Sequence, residues 1–214
     1  MKKKILVTGG CGYIGSHTVL KLLENNFEVI IADDLSNSSI ASLDRIEKIT
    51  NIRPAFINID LKDMAKVREF FQAHQELAAV IHFAAYKAVG ESVQKPLLYY
   101  QNNLFSLINV LTSQLEVNCT NFIFSSSATV YGTPETLPVT EQDQTKRPFS
   151  AYGNTKKMAE EIIEDTTKSS KDFSAISLRY FNPIGAHPSG LIGELPSGIP
   201  NNLMPYITQT ARGL

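Results

Sequence analysis

The sequence contains no tryptophan and only two cysteines, and it has no excess of charge of either sign. Cys11 and Cys119 are far apart and form no CxxC pair, which argues against a disulfide framework and a cysteine zinc site. The 20 basic residues balance the 21 acidic ones, so composition does not favour nucleic acid or an anionic membrane as a partner. These absences indicate a globular protein that builds an ordinary apolar core.

Long apolar runs are also absent. The apolar run at residues 5–7 ends at Thr8-Gly9-Gly10 and is too short for the apolar region of a signal peptide. No stretch reaches the roughly 18 apolar residues that a membrane span needs. We therefore expect a cytoplasmic protein in a reducing compartment, without a membrane partner. No metal site is expected either, because the four histidines are scattered, at His17, His74, His82 and His187.

Short, nearly all-apolar strands alternate with helices along most of the chain. The predicted strands are residues 4–8, 28–32, 55–59, 79–83, 121–125 and 175–179. The predicted helices are residues 13–25, 64–74, 96–116 and 151–168. Apolar strands that alternate with helices indicate a parallel sheet covered on both faces. The pattern predicts an α/β protein with a doubly wound parallel sheet, the Rossmann fold.

The character of the chain changes after the sixth strand. Residues 182–200 hold four of the ten prolines and four glycines, which is typical of loops. Residues 201–213 are predicted to begin another helix. We predict a dinucleotide-binding domain at residues 1–181, followed at 182–214 by only the start of a second, substrate-binding lobe.

A glycine-rich turn, TGGCGYIG at residues 8–15, follows the first strand and opens the first helix. Gly9, Gly12 and Gly15 allow a tight turn and a close approach of the backbone to a pyrophosphate. Asp33 ends the second strand, where a carboxylate accepts hydrogen bonds from ribose hydroxyls and repels a 2′-phosphate. No Arg or Lys follows closely, so NAD is favoured over NADP. The alternative interpretation of the glycines is an ordinary tight turn, and that of Asp33 is a solvated strand end.

A second motif, YGNTK, places Tyr152 and Lys156 one helical turn apart on the same face. An ammonium group at this distance lowers the pKa of a phenol and makes it a usable base. Ser127 lies just past the fifth strand, at the sheet edge where α/β proteins bind ligands. Its hydroxyl is suited to orient a substrate hydroxyl. The alternative is that Tyr152 and Lys156 form an ordinary surface pair without a catalytic role.

Taken in this order, the motifs resemble the extended branch of the short-chain dehydrogenase/reductase superfamily. Four stretches are similar to the UDP-hexose 4-epimerases of that branch, and the likeness extends from Lys4 to about Arg212. The stretches are KAVGESV at 87–93, FSSSATVYG at 124–132, RYFNPIGAHP at 179–188 and IPNNLMPY at 199–206.

The resemblance implies roles for the matching residues. The catalytic residues would be Ser127, Tyr152 and Lys156. Besides the three glycines and Asp33, the implied NAD contacts are Tyr13, Ile14, Asp34, Leu35, Ser36, Asn37, Ser38, Asp60, Leu61, Phe83, Ala84, Ala85, Tyr86, Lys87, Asn102, Ser127, Tyr152, Lys156 and Phe181. The implied contacts to the sugar nucleotide are Ser127, Tyr152, Asn182, Asn202 and Leu203.

The implied reaction is NAD-dependent 4-epimerisation of UDP-glucose and UDP-galactose through a transient 4-keto sugar. A 4,6-dehydratase is disfavoured because Ala128-Thr129, and no carboxylate, follow Ser127. An epimerase of another UDP-sugar stays open. So does a catalytically silent NAD-binding fragment, since the family's closing lobe is not in this sequence.

The resemblance also implies a homodimer, formed by the helices at 96–116 and 151–168. An apolar stripe at Leu104, Leu107, Ile108 and Leu111 suits such an interface, but core packing would give the same pattern.

Overall fold

Six parallel strands form one sheet in the computed structural model, which describes residues 2–195 and 202–213. The strands are β1 (Lys4–Thr8), β2 (Glu28–Asp33), β3 (Ala55–Asn58), β4 (Leu77–His82), β5 (Asn121–Ser127) and β6 (Ser174–Tyr180). Their order in the sheet is β3-β2-β1-β4-β5-β6. The chain thus leaves β1 first to one side and then to the other, which confirms the doubly wound Rossmann fold.

The described helices connect these strands or follow the last of them. They are α1 (Tyr13–Glu24), α2 (Ala41–Thr50), α3 (Met64–Ala73), α4 (Val89–Gln94), α5 (Pro96–Glu116), α6 (Ala151–Ser169) and α7 (Leu203–Ala211). The sequence analysis missed α2 and α4. Helix α7 lies within the predicted 201–213 helix, of which Asn201 lies outside the described residues.

The predicted strands are confirmed within two residues at each end, and β5 shows the most informative difference. It continues to Ser127 because Ser126 and Ser127 pair with Arg179 and Tyr180 of β6. Polar side chains therefore extend a strand that the apolar pattern ended at Ser125. This extension carries the serines to the edge of the sheet where the ligand cleft opens.

Alternation of side chains along the strands divides the core between the two faces of the sheet. Leu6 packs with apolar residues of α3, α5 and α6 on one face. Ile5 and Val7 pack with residues of α1 and α2 on the other. Both faces of the sheet's centre are buried, which explains why the strands are apolar at consecutive positions.

The stripe predicted on α5 as an interface belongs mostly to this core. Leu104, Leu107 and Leu111 are buried inside the chain, so they are unavailable to a second copy. Ile108 alone of the four is exposed. For the other three residues the alternative of core packing holds, because the helix turns this face toward the sheet rather than outward.

The segment after β6 lies against the domain as an irregular loop. A single bridge pairs Ala186 with Gly193. Ile192 is buried in the core cluster beside α1, and the Tyr13 hydroxyl donates to the Gly185 carbonyl oxygen at 2.7 Å. These contacts bring residues 191–195 to the carboxyl edge of the sheet. Among the residues that the structure describes, no helix is both long and apolar enough to cross a membrane.

Candidate active site

The glycine turn between β1 and α1 has no room for larger residues. Gly9 adopts φ +67°, and a Cβ there would lie 2.7 Å from the Ala84 amide nitrogen. A Cβ on Gly15 would lie 2.2 Å from the Gly9 carbonyl oxygen. Gly12 caps the first turn of α1, whose free N–H groups and positive dipole end face outward. The turn has the backbone geometry and polarity that suit a phosphate group.

Asp33 at the end of β2 is held in a fixed orientation. Its Oδ2 accepts the backbone N–H of Cys11 at 3.0 Å. Its Oδ1 accepts the N–H of Leu35 at 3.0 Å and the hydroxyl of Ser38 at 2.8 Å. A carboxylate offers about four acceptor positions, so one remains for a ligand hydroxyl. The sequence pattern predicted this carboxylate but not the three donors that fix it.

A cleft of about 740 Å³ opens at the carboxyl edge of the sheet, beside the glycine turn. It is lined by all the predicted cofactor residues except Leu35, Ser127 and Phe181. Of the predicted sugar-nucleotide contacts, Tyr152 and Asn202 line it as well. Residues from the ends of β1, β2, β4 and from α6 thus meet in one cavity, of a size typical of small-molecule sites.

The other predicted site residues lie elsewhere. Leu35 supplies only its backbone, through the bond to Asp33, while its side chain packs on the core. Phe181 is 68% exposed and lines a separate, smaller pocket with Tyr131 and Arg179. Asn182 and Leu203 are exposed and outside the cleft. The structure does not bring these side chains together with the cleft.

Tyr152 and Lys156 lie on the first two turns of α6, at the end of the cleft away from Asp33. Ser150 caps this helix by accepting the N–H of Gly153 at 3.1 Å. The Lys156 Nζ donates to the Ser125 carbonyl oxygen at 2.7 Å and lies 5.9 Å from the centre of the Tyr152 ring. The i, i+4 spacing therefore does place both groups on one face, as the motif predicted.

The protonation of this pair differs from the expectation. Burial raises the pKa of the Tyr152 phenol, and a hydrogen bond with Ser127 only partly opposes this. Burial lowers the pKa of Lys156 to about 7. Burial thus opposes the lowering of the phenol pKa that the motif predicts, because desolvation penalises both charged forms.

Ser127 lies behind the cleft wall at the start of a short 3₁₀ turn. Its Oγ accepts the N–H of Thr129 at 3.2 Å and the Thr129 hydroxyl at 2.9 Å. The same hydroxyl is close enough to Tyr152 to influence its pKa. Ser127 thus lies near the tyrosine, although its own side chain does not line the cavity.

His82 on β4 is fully buried near this pair. Its Nδ1 is 2.8 Å from the Thr8 hydroxyl, which ties β1 to β4 at the cleft floor. Burial, with the charge of Lys156 in second place, lowers the pKa of His82 to about 3. This histidine is therefore neutral. Within the described ranges, no group of three or more His, Cys, Asp or Glu side chains is placed to hold a metal ion.

Several residues of the site were missed by the sequence reasoning. Helix α2 brings Ser42 and Arg45 to the cleft wall. The spacing of Leu43, Ile46 and Ile49 is the signal that reveals this helix. No Arg or Lys follows Asp33 closely in sequence, but Arg45 lines the same cleft as Asp33.

Asn103 is a second missed residue, buried behind the cleft. Its amide group bonds both the N–H and the carbonyl oxygen of Tyr86, at 2.8 and 3.1 Å. It also donates to the Thr155 hydroxyl at 3.0 Å. The neighbouring Asn102 faces the cleft and accepts Lys62 Nζ at 3.0 Å. Sequence alone does not distinguish these two adjacent asparagines.

Comparison with known proteins identifies the family. The model of the "NAD dependent epimerase/dehydratase family" matches residues 5–211. The chain is 51% identical over 219 residues to UDP-glucose 4-epimerase 2 of Arabidopsis thaliana, covering all of this chain and 61% of that protein. It is 52% identical over 209 residues to UDP-glucose 4-epimerase of Haemophilus influenzae, covering 98% of this chain and 62% of the relative.

A solved structure agrees with this assignment. The crystal structure of UDP-glucose 4-epimerase from Bifidobacterium longum, in complex with NAD⁺ and UDP, superposes with a TM-score of 0.95 at 45% identity. The match covers 99% of this chain and 63% of that one. The chain thus spans less than two thirds of the length of these relatives.

Proposed function

Because the chain belongs to the NAD dependent epimerase/dehydratase family, we propose that it binds NAD and takes part in the 4-epimerisation of a UDP-hexose. The observation that carries this proposal is one cleft lined by the glycine turn, by Asp33 and by Tyr152 with Lys156. The relatives and the superposed structure are UDP-glucose 4-epimerases. UDP-glucose and UDP-galactose are therefore the substrates we propose.

The cleft fits NAD on its own geometry. Gly9 and Gly15 leave a cradle that any Cβ would fill, next to the helix N-terminus that attracts a pyrophosphate. The remaining acceptor position of Asp33 suits a ribose hydroxyl. Bound there, NAD would supply the acceptor for the C4 hydride and would return that hydride to the sugar.

The chain's own residues then hold the sugar and move its proton. The Tyr152 oxygen receives the proton of the sugar 4-hydroxyl, and the Ser127 hydroxyl next to it orients that group. Burial raises the pKa of the phenol, so the phenolate needs a nearby positive charge to form. The Lys156 ammonium, whose Nζ lies 5.9 Å from the centre of the Tyr152 ring, supplies this charge in the proposed reaction.

We propose that residues 182–214 begin a substrate-binding lobe. Asn202 and Glu194 line the cleft, are hydrogen-bonded to each other, and lie opposite Lys87, whose Nζ is 3.8 Å from Glu194. Asn182 and Leu203 remain proposed sugar-nucleotide contacts, and Phe181 a proposed cofactor contact. Movement of the chain after β6 is required to bring them to the cleft.

A homodimer through α5 is part of the proposal. Apolar side chains exposed on this helix form what we call the α5 outer face: Leu97, Phe105 and Ile108. Such a group of exposed apolar residues favours a protein partner. We further propose a cytoplasmic location, in keeping with two cysteines that are buried and unpaired.

The test measures NAD binding and the conversion of UDP-galactose to UDP-glucose by the purified, NAD-loaded chain and by its Tyr152→Phe variant. We expect both proteins to bind NAD and the variant to lose turnover about 10²- to 10⁴-fold. Tyr100→Phe, outside the cleft lining, is the matched control. Unchanged turnover in Tyr152→Phe contradicts the proposed base. NAD binding without any turnover by the parent chain supports the silent NAD-binding module, and turnover of UDP-N-acetylglucosamine instead indicates another UDP-sugar.

A further inference from the structure

Three consecutive serines at the end of β5 lie against residues of α6 that are spaced by four. The Ser125 carbonyl oxygen accepts Lys156 Nζ, and the Ser127 hydroxyl is close enough to Tyr152 to lower the pKa of that phenol. The Ser126 hydroxyl donates to the carboxylate of Glu160. Positions 152, 156 and 160 share one helix face. The proposed function uses the first two contacts and leaves the third unexplained.

Glu160 is itself held firmly from β6. The Nε atom of Arg179 donates to its Oε1 at 3.0 Å, and Nη2 donates to its Oε2 at 2.8 Å. This is the two-pronged geometry that makes arginine–carboxylate pairs directional. The Arg179 and Glu160 side chains are only 22% and 13% exposed, so the pair is poorly screened by solvent.

The arginine is fixed on its other side by Tyr131. Its Nη1 donates to the Tyr131 hydroxyl at 2.9 Å, and its guanidinium lies 4.8 Å from the centre of that ring. Hydrogen bonds from Glu160 and Tyr131 raise the pKa of Arg179 despite its partial burial. Tyr131 and Arg179 therefore hold the Glu160 carboxylate in place where it accepts the Ser126 hydroxyl.

A buried ion pair is weak evidence of a stabilising role, because desolvation offsets its attraction. The position of Ser126 suggests a different role for the Glu160–Arg179 pair. Both of its chain neighbours contact the proposed catalytic pair, and a strand residue cannot shift without moving the peptides on either side. The bond from Ser126 to Glu160 thus fixes the position of residues 125–127 along the axis of α6.

We propose that Glu160, held by Arg179, is a positioning residue that sets the Ser127 hydroxyl and the Lys156 ammonium at their distances from the Tyr152 phenol. The inference rests on the proposed function. It predicts that loss of the Ser126–Glu160 bond misaligns the proton-transfer groups while the fold and the NAD site persist. Glu160 and Arg179 do not line the cleft, so their effect on the reaction is indirect.

The test uses Ser126→Ala, which removes this bond and leaves the Glu160–Arg179 pair intact. In the NAD-loaded chain we expect kcat for UDP-galactose to fall about 10- to 100-fold, as small misplacements of reacting groups do. We expect KM and the NAD dissociation constant to change less than about twofold. Ser113→Ala, which also removes the hydroxyl of a fully buried serine, is the matched control.

Two further variants separate positioning from stability. Glu160→Gln also removes the charge that binds Arg179, so it should lower kcat at least as much. The double variant Ser126→Ala/Glu160→Gln should be no worse than Glu160→Gln alone, because Ser126 acts only through Glu160. A full kcat in Ser126→Ala overturns the proposal. So does an equal loss in Ser126→Ala and Ser113→Ala, or a double variant whose losses multiply.

A second readout keeps the inference independent of turnover. Spectrophotometric titration of the Tyr152 phenol, with Tyr152→Phe subtracted, is compared between the parent and Ser126→Ala in the presence of NAD. We expect the phenol pKa to move by at least about half a unit in Ser126→Ala and to stay in Ser113→Ala. If the parent turns over no sugar nucleotide, the proposed function fails while this titration still decides the positioning role. An unmoved titration overturns the role.

Discussion

The ammonium of Lys156 donates to the carbonyl oxygen of Ser125 at 2.7 Å and, through this bond, joins the second turn of α6 to the end of β5. The lysine is only 4% exposed and has no carboxylate partner among the described ion pairs. Its charge is therefore balanced by a single backbone dipole. This explains why burial lowers the pKa of Lys156 to about 7, and it makes the charge of this lysine sensitive to pH near neutrality.

Lys156→Met should change the pH dependence of stability. Because burial lowers the pKa of Lys156 from 10.5 to about 7, the unfolded chain binds the proton more tightly than the folded chain. The stability of the parent then rises from about pH 7 to pH 10.5, by about 1.4 kcal/mol per unit at most. The methionine variant lacks this rise. Urea unfolding at several pH values measures it, and Lys171→Met, at an exposed site, should keep the slope of the parent.

Asp33→Asn should weaken NAD binding and relax the preference for NAD over NADP. The new amide group would place N–H donors against the N–H of Cys11, where the carboxylate had accepted a hydrogen bond. The charge that repels a 2′-phosphate would also be lost. We expect the NAD dissociation constant to rise about 10- to 100-fold. The dissociation constant for NADP should rise less, since Arg45 lines the same cleft. Calorimetric titration with both dinucleotides decides this, with Asp44→Asn on α2 as control. An unaltered NAD/NADP ratio contradicts the role given to Asp33.

Gly15→Ala should disrupt the phosphate-binding turn. The new Cβ would lie 2.2 Å from the Gly9 carbonyl oxygen and 2.8 Å from the Gly10 Cα atom, so the backbone must move. We expect a loss of about 3 kcal/mol in the free energy of unfolding, together with loss of NAD binding. Gly90→Ala is the matched control, because nothing lies within 4 Å of its Cβ. That variant should gain about 0.5–1 kcal/mol from the preference of a helix for alanine. Equal stabilities of the two variants would show that the turn tolerates a side chain.

Phe105→Asp should convert the proposed dimer to a monomer. Phe105 is 50% exposed on the α5 outer face, and a buried unpaired carboxylate strongly opposes association. Sedimentation velocity of the parent and the variant at equal concentration checks this. Leu137→Asp, at a residue that is 80% exposed away from α5, should behave like the parent. A parent chain that sediments as a monomer removes the proposal.

The sequence predicted most of the fold because its signals are local. The period of apolar residues gave the six strands and the helices α1, α3, α5 and α6. The four-residue spacing of Tyr152 and Lys156 placed both on one face of a helix. Helix α2 was missed because its pattern is short and lies among serines and charged residues. Gly9, Gly12, Gly15 and Asp33 were predicted together because a phosphate-binding turn needs these residue types, and the structure places them along one cleft.

What the sequence determined by itself is the order of the elements, the glycine turn and the chemical identity of the catalytic candidates. Each of these depends on neighbours within a few positions along the chain. Only the tertiary structure decided that Arg45 enters the cleft, that Leu104 belongs to the core, and that Glu160 joins Arg179 to the end of β5. It also decided the direction in which the pKa values of Tyr152 and Lys156 shift, because desolvation depends on everything packed around a group and not on its place in the sequence.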